Sequence, residues 1–142
     1  GNPTGVVGVQ EYDAEKAEEF AKYANGYDGI HPQGFALVAE GEKYEGQPAL
    51  LTEFGGRAFQ ADAQGEAWGY SGAAQSEEAF LKQLGSVMQG VYSCNFQGYC
   101  YTQLTDVQQE VNGLLTAERK PKADIQKLKA LLGGSKQCLA DG

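Results

Sequence analysis

The chain has 142 residues, of which 42% are hydrophobic, and this suits one domain able to bury a real core. Lys+Arg 11 against Asp+Glu 19 leaves a net charge of -8, which argues against a nucleic-acid partner or an anionic membrane surface. No apolar stretch approaches the ~20 residues of a membrane span, and no charged-then-apolar leader points to export, so a cytoplasmic location is expected.

Cys94, Cys100 and Cys138 form no metal-ligand pattern, and three is a poor number for a disulfide framework, so a reducing compartment is favoured. The only histidine, His31, stands in a glycine-rich stretch beside Pro32. No histidine-based metal site or catalytic triad is expected, and no cofactor. Acid–base chemistry on this chain must therefore be carried by carboxylates.

In chain order, the run 5–12 (GVVGVQEY) reads as a strand that ends in polar residues with a carboxylate, Glu11. Asp13 is placed to cap a helix over 14–24, whose apolar face is Ala17, Phe20, Ala21 and Ala24, and Asn25-Gly26 stops it. Residues 27–47 form a long glycine-interrupted connection, within which 34–39 fits helix or strand equally. Pro48 then opens a short apolar run closed by Gly55-Gly56, a buried strand with Glu53 at its carboxyl end. Burying an ionised Glu without a partner costs several kcal/mol. At a parallel strand's carboxyl end it either faces the crevice where α/β proteins place their chemistry or simply sits in water.

A loop over 55–75 carries Trp68-Gly69-Tyr70, and loops of this length are often functional. Ser76-Glu77-Glu78 starts a helix with Phe80, Leu81, Leu84, Val87, Met88 and Val91 as its core stripe. Residues 98–106 read as a third strand running out into Gln103 and Asp106. Residues 113–116 make a short extended piece, and a last helix runs through Ile125, Leu128, Leu131 and Leu132, with a frayed tail over 135–142. Strand–helix alternation predicts parallel strands with helices outside, so that Glu11, Glu53, Tyr101, Gln103 and Asp106 gather at one end.

The blocks Leu51-Thr52-Glu53-Phe54-Gly55-Gly56, Trp68-Gly69-Tyr70, Gly98 to Asp106, Glu110 to Leu114 and Arg119 to Lys122 together resemble glycoside hydrolase family 2, in its β-galactosidase-like and β-glucuronidase-like enzymes. The resemblance runs in order from about Gly5 to Leu132. It implies an α/β fold that is part of a (β/α)8 (TIM) barrel, roughly its last three β/α units, with all of 1–142 as the carboxyl-terminal portion of that catalytic domain. A whole barrel takes about 250 residues, so the rest of the barrel, or another copy of this chain, is the expected protein partner.

By the same resemblance Glu53 is the nucleophile of a retaining β-glycosidase acting on a carbohydrate β-glycoside, and Glu11 and Tyr12 stand at a substrate-binding strand end. By their chemistry Trp68 and Tyr101 either stack on sugar faces or pack the loop and strand, and Gln103 either binds hydroxyls or caps the strand end. The family's acid/base Glu follows an Asn, and this chain has no Asn-Glu pair, so the isolated chain is expected to be inactive. Where glucuronide-specific members carry Asn-x-Lys, this chain has Glu110-Val111-Asn112, which turns the expectation from a glucuronide toward a neutral β-galactoside. The alternative function is non-catalytic: a self-associating fragment that binds sugar weakly at most.

Overall fold

A computed structural model describes residues 5–59, 71–74 and 76–133. Strands β1 (Val7–Glu11), β2 (Ala49–Gly55) and β5 (Gly98–Thr102) form a three-stranded, all-parallel sheet in the order β1-β2-β5. Strands β3 (Arg57–Phe59) and β4 (Ser71–Ala74) pair in parallel as a separate two-stranded sheet. Helices α1 (Glu77–Ser93) and α2 (Ile125–Leu132) and the 3-10 helix Ala17–Tyr23 are the helical elements among the described residues, with a second 3-10 turn at Pro32–Gly34.

Burial alternates along the strands as period two requires. Val9, Ala49 and Leu51 are fully buried, while Gly8, Gln10, Leu50, Thr52 and Cys100 are exposed on the other face. The covered face meets the α1 stripe of Phe80, Leu84, Val87 and Met88, joined by Phe20 and Tyr23 from the 3-10 helix. Each such large apolar side chain contributes about 1.5–3 kcal/mol on burial. Ser76 caps α1 by accepting the Ala79 N–H at 3.1 Å, and Asp124 caps α2 by accepting from Gln126 and Lys127 at 2.8 and 3.0 Å. Gly90 lets α1 lie against the 3-10 helix, because a Cβ there would come within 2.9 Å of the Ala17 backbone.

The partial (β/α)8 barrel expected from the sequence is not what the chain forms. A barrel needs each strand hydrogen-bonded on both sides around a closed ring. Here the sheet is open, with only β2 paired on both sides, and among the described residues no further strand extends it. The segment read as one long loop after β2 holds the separate β3–β4 pair, which interrupts the expected simple β/α repeat. Two local expectations also change. The first helix is a 3-10 helix whose leading Lys16 N–H is taken at 2.9 Å by Glu19, not by Asp13. The third strand ends at Thr102, after which 103–115 folds back so that the Leu114 and Leu115 N–H groups donate to Gln103 and Leu104.

Candidate active site

The carboxyl ends of β1, β2 and β5 lie side by side, and an irregularity in β2 decides what they present. Val9 pairs with Leu51 but Gln10 with Glu53, and on the other side Leu51 pairs with Tyr99 but Phe54 with Tyr101. Both neighbours thus lose one residue against β2, so β2 carries a bulge at Thr52-Glu53. The Thr52 hydroxyl fills the break by donating to the Val9 carbonyl at 2.9 Å. The bulge resets the alternation. Phe54 turns into the core, fully buried, and Glu53 stays half-buried at the strand ends.

The Tyr12 hydroxyl donates to Glu53 Oε2 at 2.5 Å, joining two of the residues singled out from the sequence. Tyr101 stands beside them on β5, its ring edge-on to Phe54 at 5.6 Å and packed over Gly55. Gly55 has φ +94, and a Cβ at that position would overlap the Tyr101 ring. Gln103 lies beyond β5, where its Nε2 donates to Asn112 Oδ1 at 2.7 Å and Asn112 Nδ2 donates to Glu110 Oε1 at 2.9 Å. Trp68 falls outside the described residues.

Glu11 sits on the helical side of the sheet, 1% exposed. Its Oε1 accepts the N–H groups of Asp13 and Ala14 at 3.0 and 3.1 Å, and its Oε2 meets the Tyr23 hydroxyl and Lys22 Nζ, both at 2.5 Å. Burial acts to raise this carboxyl, but the hydrogen bonds from Lys22, Tyr23 and Asp13 and the Lys22 charge outweigh it and hold it below the ordinary value. The same burial, with Glu11 alongside, pushes the Tyr23 hydroxyl up. A carboxyl depressed by folding contributes stability that is complete above its unfolded value, about 4.3, and fades as pH falls through the folded value. Glu11→Gln is therefore expected to flatten the acid limb of a stability–pH curve below about pH 4.3, measured by urea denaturation. An acid limb as steep as that of the wild type would show that other carboxyls govern it.

The sequence reading assigned no role to Asn112 or Lys122, yet both are buried beside the site. Lys122 Nζ bridges Asp106 Oδ1 at 2.6 Å and the Val111 carbonyl at 2.7 Å, while Asp106 Oδ1 also accepts the Gly113 N–H at 2.9 Å. Burial lowers the Lys122 ammonium, with Asp106 pulling the other way. The only available signal was a polar residue wedged between Val111 and Gly113 and a lysine between Pro121 and Ala123. Among the described residues no group of three or more His, Cys, Asp or Glu could hold a metal ion, and no helix is long and apolar enough to cross a membrane.

No family model matches the chain, and no curated protein matches it. Solved structures do. One is a GH2 beta-galacturonidase from Eisenbergiella tayi bound to galacturonate, similar at a TM-score of 0.53 and 20% identity over 83% of this chain. The match takes in 22% of that enzyme, so this chain spans about a fifth of its length. At this identity the likeness is one of fold alone.

Proposed function

We propose that this chain is the nucleophile-bearing part of a retaining β-glycosidase, with Glu53 as the nucleophile and a neutral β-galactoside-like sugar as the substrate. The observation that carries the reading is the Tyr12–Glu53 contact at the adjoining strand ends. A nucleophilic carboxylate must be held in one orientation for in-line attack, and the Tyr12 hydroxyl on Oε2 supplies that hold. With Tyr12 on Oε2, Oε1 is the oxygen that attacks the anomeric carbon. The bond from that carbon to the aglycone oxygen breaks, its electron pair leaves with the oxygen, and an acid about 5–5.5 Å away supplies the proton. Water then attacks the same carbon, passing its proton to the group that had acted as the acid, and releases Glu53 as a carboxylate.

Tyr101 and Gln103 are the proposed sugar contacts from the described residues, and Trp68 is proposed as a third on the sequence alone. The acid is proposed to come from residues outside this chain, because Glu11 is enclosed by protein donors and Asp106 is paired with Lys122. The preference for a neutral sugar follows from the same pair, since Lys122 is already committed to Asp106 and Val111.

The test uses a leaving group that departs without protonation. A dinitrophenyl 2-deoxy-2-fluoro-β-galactoside needs only the nucleophile, and fluorine slows breakdown of the ester it forms. Peptide mapping is expected to find the label on Glu53, whereas unactivated alkyl galactosides are not turned over. Label on Asp106 or Glu110, or none at all after prolonged incubation, would remove Glu53 from this role.

A further inference from the structure

We infer that Glu11 is a positioning residue that sets Tyr12 against Glu53 by fixing the turn in which Tyr12 sits. The inference takes its functional meaning from the reading of Glu53 above, though the contact it explains stands on geometry alone. Glu11 and Tyr12 are neighbours on a chain that is leaving the sheet, so their side chains depart on different sides. Glu11 goes to the helical side, where its Oε1 reaches forward past Tyr12 and accepts the next two backbone N–H groups, at 3.0 and 3.1 Å. A carboxylate that accepts from residues two and three further on closes a small ring of chain, as Asp and Asn do in turns. Tyr12 lies inside that ring, so the peptides before and after it are both held.

The second oxygen makes the ring rigid with respect to the rest of the fold. Oε2 is gripped by Tyr23 and Lys22 of the 3-10 helix, which packs on α1 beneath the sheet. Charge-assisted bonds of this kind are among the stronger ones a protein makes. Tyr12 is therefore tied to the core through Glu11, and its hydroxyl meets Glu53 Oε2 at 2.5 Å across the β1–β2 junction. A tyrosine on an unfixed turn would have to be ordered each time the contact formed.

The rival account is that Glu11 only anchors the 3-10 helix. The two differ in what happens at Glu53, which Glu11 does not touch. The test reads the Glu53 side-chain carboxyl 13C shift by NMR at one neutral pH, with Tyr12→Phe defining its position when the hydroxyl is absent. Glu11→Ala is expected to move the Glu53 signal most of the way to the Tyr12→Phe position. Glu11→Gln keeps an acceptor for both N–H groups and is expected to leave it near the wild-type position. Tyr23→Phe removes one of the two helix anchors, leaving Lys22 and the ring, and is expected to lower stability while leaving the Glu53 signal in place.

If Glu11→Ala does not fold, Glu11→Met serves, since it fills the same space without an oxygen acceptor, and the same displacement is expected. A Glu53 signal unmoved in Glu11→Ala or Glu11→Met overturns the inference. So does a displacement in Tyr23→Phe as large as that in Glu11→Ala. None of these readings requires turnover. A failed labelling experiment with intact NMR coupling would therefore sink the glycosidase reading alone, and the converse result would sink the positioning role alone.

Discussion

Lys122→Met is expected to cost the fold about 3–5 kcal/mol, because it leaves a buried carboxylate without its cation. Asp106 and Lys122 side chains are 10% and 1% exposed, so water does little to replace the missing partner. The Val111 carbonyl loses the Lys122 donor but keeps the Phe59 N–H at 3.0 Å, so the cost falls on the carboxylate. The pair does more than bind two charges. It fastens the returning segment 103–115 to the stretch that leads into α2, and that segment carries Gln103, Asn112 and Gly113. The loss measures an orphaned charge rather than the worth of the pair, so a second variant separates the two. Asp106→Asn with Lys122→Met removes both charges, and the Asn oxygen can still accept the Gly113 N–H. Equilibrium urea denaturation is expected to show the double variant recovering a large part of the loss. A loss under about 1 kcal/mol for Lys122→Met would mean that the pair is screened like a surface ion pair.

Much of the chain's local order is readable without coordinates. Val9 and Leu51 alternate with exposed neighbours, Phe80, Leu84, Val87 and Met88 repeat at helical spacing, and Ser76 and Asp124 stand where caps belong. Those signals are local, and local chemistry sets them. What the sequence did not disclose depends on contacts between segments. Strict alternation from Leu51 would send Glu53 to the helical face and Phe54 to the open one. The bulge reverses both, and it exists because β1 and β5 each pair past one residue of β2. Glu11 shows the same gap. As a carboxylate at a strand end it resembles Glu53, and only the approach of Lys22, Tyr23 and two backbone N–H groups makes it a buried anchor. The barrel expectation failed for a related reason. Strand–helix alternation predicts parallel pairing, which β1, β2 and β5 do show, but closure is a property of the whole strand set, and among the described residues β3 and β4 form a separate sheet rather than extending the first.

Gly55→Ala is expected to be the most damaging single-methyl change at the strand ends, costing about 2–6 kcal/mol through two separable terms. The first is backbone conformation. Gly55 has φ +94, a value that side chains with a Cβ adopt at a cost of about 1–3 kcal/mol. The second is space, because the new methyl would overlap the Tyr101 ring, whose edge already meets Phe54 at 5.6 Å. The ring cannot swing away without giving up that contact and opening the core beside Phe54, which is fully buried. Overpacking of this kind costs about 1–3 kcal/mol. Tyr101→Ala in the Gly55→Ala background should relieve the second term and leave the first. Relative to Tyr101→Ala alone, the added methyl should then cost only the backbone term, about 1–3 kcal/mol, in urea denaturation. The same pair reports on the site, since Gly55 is two residues beyond the bulge that aims Glu53. In the proposed function, Gly55→Ala should slow labelling of Glu53 by the activated fluoro-galactoside under conditions where the variant is still folded. Equal cost of the methyl in both backgrounds would show that Tyr101 does not bear on Gly55. Undiminished labelling in folded Gly55→Ala would show that the aim of Glu53 is set elsewhere on β2.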